Sequence, residues 1–145
     1  MKISEFKLED KSALEEFKGN NWPAADLEHY KDKQPDFSKS SHTLVATNDI
    51  GKIIGYIIFT IDTGITWVES MIVDSKARGQ GIGSELITHA ENLAKSKGSH
   101  KIWLETGLDW KAKSLYEKLG FTVRATLPNH YGHQDFVLMD KELLP

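Results

Sequence analysis

The chain has 145 residues, 39% of them hydrophobic and 27% charged, with a formal net charge of −3 and no cysteine. That length predicts one domain over residues 1–145, with a real core and no room for a second. The slight negative charge argues against a nucleic-acid partner, and the lack of cysteine excludes disulfides, cysteine-ligated zinc and a cysteine nucleophile.

Residues 1–6 lack the long apolar core of a signal peptide, and no apolar run approaches membrane-spanning length. The expectation is a cytoplasmic protein without a membrane partner. Residues 2–8 alternate and read as a short first strand. Glu9 to Ser12 open a helix carrying Leu14 and Phe17, which the pattern ends near Gly19. Asn20 to Pro23 read as a turn, with Pro23 starting a second short helix over 24–33 that carries Leu27 and Tyr30. A polar loop over 35–41 leads to strands at 42–47, 52–61 and 65–73. Short turns at Asn48–Gly51 and Asp62–Gly64 make these three an antiparallel meander.

After the third of these strands come Arg78-Gly79-Gln80-Gly81-Ile82-Gly83 and a helix with Ile82, Leu86, Ile87, Ala90, Leu93 and Ala94 on one face. The helix stops at Lys95-Ser96-Lys97-Gly98, where cations and a glycine suit a C-terminus. Residues 101–106 form another strand, joined through a helix and so parallel to 65–73. A further helix starts near Asp109 as N-cap, carries Ala112, Leu115 and Leu119, and ends at Gly120. Strands at 121–127 and 135–139 close the chain. The order β-α-α-β-β-β-α-β-α-β-β describes an α/β fold with a mixed sheet.

The glycine loop points to chemistry. Three alternate glycines let backbone N–H groups converge without Cβ obstruction. They stand where a helix begins, so its unpaired N–H groups and positive dipole end face the same point. Arg78 adds forked donors and Lys76 further charge. The arrangement predicts an anion site, most naturally for phosphates. A dinucleotide loop fits less well, because Gly79-x-Gly81-x-x-Ser84 lacks the third glycine, and no P-loop pattern is present.

Arg78-x-x-Gly81-x-Gly83 resembles motif A of the GCN5-related N-acetyltransferases (GNAT), Arg/Gln-x-x-Gly-x-Gly/Ala, whose loop cradles the pyrophosphate of acetyl-CoA. Residues 107–121, with Ala112, Leu115-Tyr116 and Gly120-Phe121, look like motif B of the same family, Asn-x-x-Ala-x-x-Leu-Tyr-x-x-x-Gly-Phe. Asp109 stands where the family often has the Asn that holds the pantetheine arm. The resemblance covers residues 53–139. It implies a mostly antiparallel central sheet flanked by helices and splayed between the fourth and fifth strands. It also implies transfer of the acetyl group of acetyl-CoA to a primary amine by direct attack, with no metal. The competing expectation is a domain of the same fold that binds or senses an acyl-CoA without turnover. Dimers are common in the family, so a homodimer is a further expectation.

The resemblance assigns Gly79, Gln80, Gly81, Ile82, Gly83, Ser84 and Arg78 to the pyrophosphate, and the backbone of Met71, Ile72 and Val73 to the pantetheine. The N–H of Ile72 or Val73 is the expected oxyanion donor, and Tyr116 the general acid that protonates the departing thiolate. By strand period Glu69 shares a face with Trp67, Met71 and Val73. There desolvation would raise its pKa and suit a general base. His130 and His133 without a third ligand do not make a metal site. Pro128-Asn129-His130-Tyr131 resembles a hairpin that borders the acceptor in peptide-acetylating members, which implies His130 and Tyr131 as acceptor-pocket wall; Trp22 is a further pocket candidate or packs under the first helices. Lys111, Lys113 and Lys118 read mainly as a solvated helix face, the alternative being a contact with the 3′-phosphate of coenzyme A.

Overall fold

The computed structural model describes residues 1–143. The chain forms two compact units, Met1–Asp36 and a second that begins at Phe37. Among the described residues no helix is long and apolar enough to cross a membrane.

The first unit differs from its sequence reading in two respects. Residues 2–8 form no strand. Residues 1–7 take neither helix nor strand, and a 3-10 turn, Leu8–Asp10, begins where the strand was expected to end. Its reason is local: the Asp10 carboxylate accepts the Lys7 N–H at 3.0 Å, and the Asp10 N–H donates to the Lys7 carbonyl at 2.9 Å. These bonds take up both backbone groups of Lys7, which a strand would have offered to a neighbour. The expected two helices are one, α1, Lys11–Tyr30, with Pro23 inside it. Proline removes a single intrahelical bond, the one to the Gly19 carbonyl. Nearby, the Asn21 side-chain amide donates to the Phe17 carbonyl at 2.7 Å, so the polar group that suggested a turn supports the helix instead.

The second unit is a six-stranded sheet in the order β1-β2-β3-β4-β6-β5. The strands are β1 Lys39–Thr47, β2 Ile53–Asp62, β3 Ile65–Val73, β4 Lys101–Gly107, β5 Thr122–Leu127 and β6 Phe136–Glu142. The meander β1-β2-β3 is antiparallel as expected. Its β2–β3 turn places Thr63 and Gly64 at φ 52° and 76°, the left-handed pair that matches strand twist in a tight hairpin. β4–β6 and β6–β5 are antiparallel, and β3–β4 is the one parallel pair among the described strands. That pair joins only Ile65, Thr66 and Trp67 to Lys101, Ile102 and Trp103. Beyond it the strands part, at the place where a splay was expected.

Two helices complete the unit, α2 Ile82–Ser96 and α3 Lys111–Lys118. The apolar stripe of α2 buries Leu86, Ile87, Ala90 and Ala94 in one core with Ile57, Phe59, Ile102, Leu104 and Met139 of the sheet. The only charged residue that α2 buries, Glu91, receives Lys141 Nζ of β6 at 2.8 Å, so burial of the carboxylate is compensated by a charged partner. Ile87 is fully buried. Ile87→Ala should therefore lower unfolding stability by about 2–5 kcal/mol, read from urea denaturation. A loss under about 1 kcal/mol would mean that α2 does not organise this core.

Candidate active site

Between β3 and α2 the Asp74 carboxylate accepts the Lys76 N–H at 2.9 Å and shapes a 3-10 turn, Ser75–Ala77. Gly79 and Gly81 follow at φ +76° and +82°, and a Cβ on either would meet nothing within 4 Å. The loop backbone is thus open to an approaching ligand and left-handed where glycine is favoured. Gly81 is the N-cap of α2, so the N–H groups of Ile82, Gly83 and Ser84 lack intrahelical acceptors and stand at the positive end of the dipole. Gly83 serves packing: a Cβ there would lie 3.3 Å from Leu115 Cδ2 of α3.

Arg78 Nε donates to the Val73 carbonyl at 3.0 Å, tying the loop to the end of β3. Arg78, Gly79, Gly81, Ile82, Gly83 and Ser84 line a cleft of 640 Å³ together with Met71, Ile72 and Val73; Gln80 is exposed and is not part of its lining. Lys111 and Lys118 of α3 also line it, and among the described residues no acidic one does. Both lysines are exposed, as read from sequence, and they also add positive charge to this wall of the cleft. Lys113 instead pairs with Glu117 at 2.9 Å.

The gap between β3 and β4 leads from this cleft to a second one. Its shape depends on a β-bulge. Ile58 faces Ser70 and Phe59 faces Val68, which leaves Glu69 without a partner on β2. The extra residue reverses the side-chain alternation. Thr66, Val68 and Met71 all oppose the buried Ile61, Phe59 and Ile57, whereas Trp67 opposes Thr60 on the other face. The period-two reading that grouped Glu69 with Met71 and Val73 fails for this reason. Glu69 is exposed, not desolvated among apolar neighbours. Its carboxylate accepts a hydrogen bond from the buried Thr60 hydroxyl, which also bonds Ser41 Oγ at 2.9 Å.

The backbone of β3 follows from the same register. The Asp74 N–H donates to the Ile54 carbonyl of β2 at 2.8 Å. Strand alternation then points Ile72 toward β2 and turns the N–H and C=O groups of Met71 and Val73 into the gap. The Arg78 bond to the Val73 carbonyl agrees. Ile72 N–H, one of two oxyanion donors expected from sequence, faces the wrong way; Met71 and Val73 face the gap.

Tyr116 of α3 lines both clefts, with Met71 and Ala112. It is 7% exposed and packs against Phe121, ring centroids 5.7 Å apart. Burial pushes its phenol above the ordinary value of 10.0, because the phenolate loses more solvation than the phenol. The group stays protonated through neutral and mildly alkaline pH.

The second cleft, 450 Å³, brings Glu69 of β3, Glu105 of β4 and Tyr116 together with Trp67, Trp110, Tyr131 and Phe136. Tyr131 packs edge-on against Phe136 at 5.3 Å and against His130 at 4.3 Å. His130 Nε2 lies 3.3 Å from Glu105 Oε2, and His133 bonds Asn129 at 3.0 Å. Trp22 lies on α1. Asp109 is exposed and lines neither cleft, and the N-cap of α3 is Trp110, which makes no side-chain cap bond. The chain turns over Leu108 and Asp109 one residue longer than the capping pattern implied, held by the Trp110 N–H to the Gly107 carbonyl at 3.1 Å.

A cationic cleft at a helix start, a parted strand pair and a buried tyrosine between two clefts form one arrangement. The profile of the Acetyltransferase (GNAT) family matches residues 9–121. The chain belongs to this family. It is 32% identical over 95 residues to an uncharacterized N-acetyltransferase of Methanocaldococcus jannaschii, covering 63% of this chain and 61% of that protein. It is 30% identical over 99 residues to the blasticidin-S acetyltransferase of Streptomyces morookaense, covering 68% and 72%. In structure it is similar to an acetyltransferase from Bacillus cereus, with a TM-score of 0.75, 22% identity and coverage of 98% and 97%.

In this GNAT chain the sequence reading missed Trp110 and Glu105 as cleft walls. The available signal was Gly107. A Cβ there would lie 2.5 Å from three atoms of the Trp110 indole, which rests over the strand and meets Phe136 edge-on at 5.2 Å. Gly107→Ala should dislodge Trp110 and cost about 1–3 kcal/mol. Urea unfolding followed by tryptophan emission checks this, and an unshifted emission maximum with unchanged stability would show that the ring does not lie there.

Proposed function

We propose that this protein transfers the acetyl group of acetyl-CoA to a primary amine by direct attack in a ternary complex, as a single catalytic domain. The observation that carries the proposal is that a cationic, amide-lined cleft and an acidic, aromatic one meet at Tyr116 in the gap between β3 and β4. The residues fit acetyl-CoA. Loop amides from Gly79 to Ser84 with Arg78 take the pyrophosphate, and Lys111 and Lys118 suit a further phosphate. The inward backbone groups of Met71 and Val73 suit the amides of an extended arm, as in strand addition.

Acetyl-CoA supplies the thioester. The amine loses its proton, taken by Glu69 directly or through solvent, and its lone pair forms the new C–N bond. An inward N–H of Met71 or Val73 holds the oxyanion that develops on the acetyl oxygen. As the C–S bond breaks, the Tyr116 hydroxyl gives its proton to the sulfur. Tyr131 and His130 border the amine, as the wall of the second cleft. The relatives whose names carry an acetyltransferase activity support the reaction class and leave the acceptor open. A cytoplasmic location and a homodimer belong to the same reading.

Arg78→Ala should weaken acetyl-CoA binding by about 1.5–3 kcal/mol, the range for hydrogen bonds to charged groups. Gly81→Val adds backbone strain at φ +82° and should weaken it at least as much. Calorimetry showing wild-type affinity in both would remove the phosphate assignment.

Tyr116→Phe keeps the packed ring and should lower kcat by about 10²–10⁴, less if the thiolate leaves without help. Because burial raises its pKa, the part of the rate that depends on Tyr116 should stay level to about pH 9. Glu69→Gln should lose most at neutral pH and recover as pH rises and the free amine becomes neutral. The check is kcat/KM against pH for both variants. A Tyr116→Phe loss below about threefold would end the general-acid role, and a wild-type profile for Glu69→Gln would end the base assignment.

A further inference from the structure

The two clefts carry opposite charge. The first is lined by Arg78, Lys111 and Lys118 and, among the described residues, by no acid. The second is lined by Glu69 and Glu105 and, among the described residues, by no lysine or arginine. Trp67 and Trp103 stack at the last paired residues of β3 and β4, 5.7 Å apart. Glu69 and Glu105 each stand two residues beyond that stack, about 7 Å along their strands. One carboxylate therefore lies on each wall of the opening. They differ in surroundings. Glu69 is exposed and held by Thr60. The Glu105 side chain is only 19% exposed, and its ion-pair partner, His130, carries charge only when protonated.

Around Glu105 the cleft is aromatic. Trp110 and Tyr131 are 51% and 61% exposed and enclose the space over Phe136. Large, open aromatic surfaces beside a largely buried carboxylate suit a desolvated cation, which gains from the ring quadrupoles and from the charge together. The reacting amine is already assigned to Glu69 by the acetyl-transfer reading, on which this inference rests. Glu105 is then left for a second positive group.

We propose that the acceptor is an amine carrying a second cationic group, with the reacting nitrogen at Glu69 and the distal cation at Glu105 between Trp110 and Tyr131. Neutral and anionic acceptors are disfavoured by the same field.

The test uses α,ω-diamines from propane to octane length and the monoamines of equal length, titrated calorimetrically into the full chain saturated with coenzyme A. Acetyl transfer to each is measured in parallel. At least one diamine should bind about tenfold more tightly than its matched monoamine and show a similar ratio in kcat/KM. Glu105→Gln should reduce that ratio to under about threefold while the affinity for acetyl-CoA stays at the wild-type value. Tyr131→Leu, at an exposed position, should reduce it in part and serves if Glu105→Gln fails to fold. Equal binding of diamines and monoamines by the wild type, or an undiminished ratio in the variants, overturns the inference. Acetyl-CoA binding distinguishes the two readings. If it is intact while diamines show no advantage, only the acceptor class fails. If acetyl-CoA itself does not bind, the acetyl-transfer reading fails.

Discussion

The structure depends on the parting of β3 from β4. A parallel pair that ends after Trp67 and Trp103 leaves two facing strand edges that do not pair with each other. Unpaired backbone groups in a sheet interior are costly unless water or another chain meets them. In the acetyl-transfer reading proposed above, those of Met71 and Val73 are the groups offered to the cofactor's extended arm. The stacked tryptophans close the paired end, and the bulge at Glu69 turns Met71 back to the core while the β3 edge opens. One inserted residue therefore does two things at once. It keeps the apolar face of β3 continuous with Ile57, Phe59 and Ile61, and it delivers a carboxylate to the opposite face, beside the opening.

Charge is divided by the same gap. On one side the N-terminus of α2, Arg78 and two lysines of α3 concentrate positive potential over open glycine backbone. On the other, two carboxylates stand among aromatic rings. Tyr116 lies at the junction, buried enough to stay neutral and near enough to line both clefts. A mildly acidic protein thus presents a strongly cationic site, because the local arrangement of few groups outweighs net charge at short range.

The supports of the site come from ordinary packing. Gly83 lets α2 approach Leu115 of α3, and Gly107 admits the Trp110 ring. Gly107 acts through packing alone, whereas Gly83 also lines the first cleft at the start of α2. The Glu91–Lys141 pair ties α2 to β6, so the helix that presents the loop is anchored to the strand that carries the aromatic wall.

The sequence alone determined what is local. Hydrophobic period gave the stripe of α2, turn residues gave the meander, and a helix between two strands gave their parallel sense. Alternate glycines before a helix gave the open, left-handed loop at the start of α2, because backbone freedom and helix-end donors are properties of consecutive residues. Tertiary structure decided the rest. Whether Asn20 to Pro23 break a helix, or residues 2–8 form a strand, turned on competing bonds of Asn21 and Asp10 that no periodicity registers. The face of Glu69 turned on β2, since a bulge is a relation between two strands and leaves a single strand's sequence looking regular. The second cleft draws Trp67, Glu105, Trp110 and Tyr131 from separate segments, and its charge and aromatic walls exist only once the sheet has brought them together.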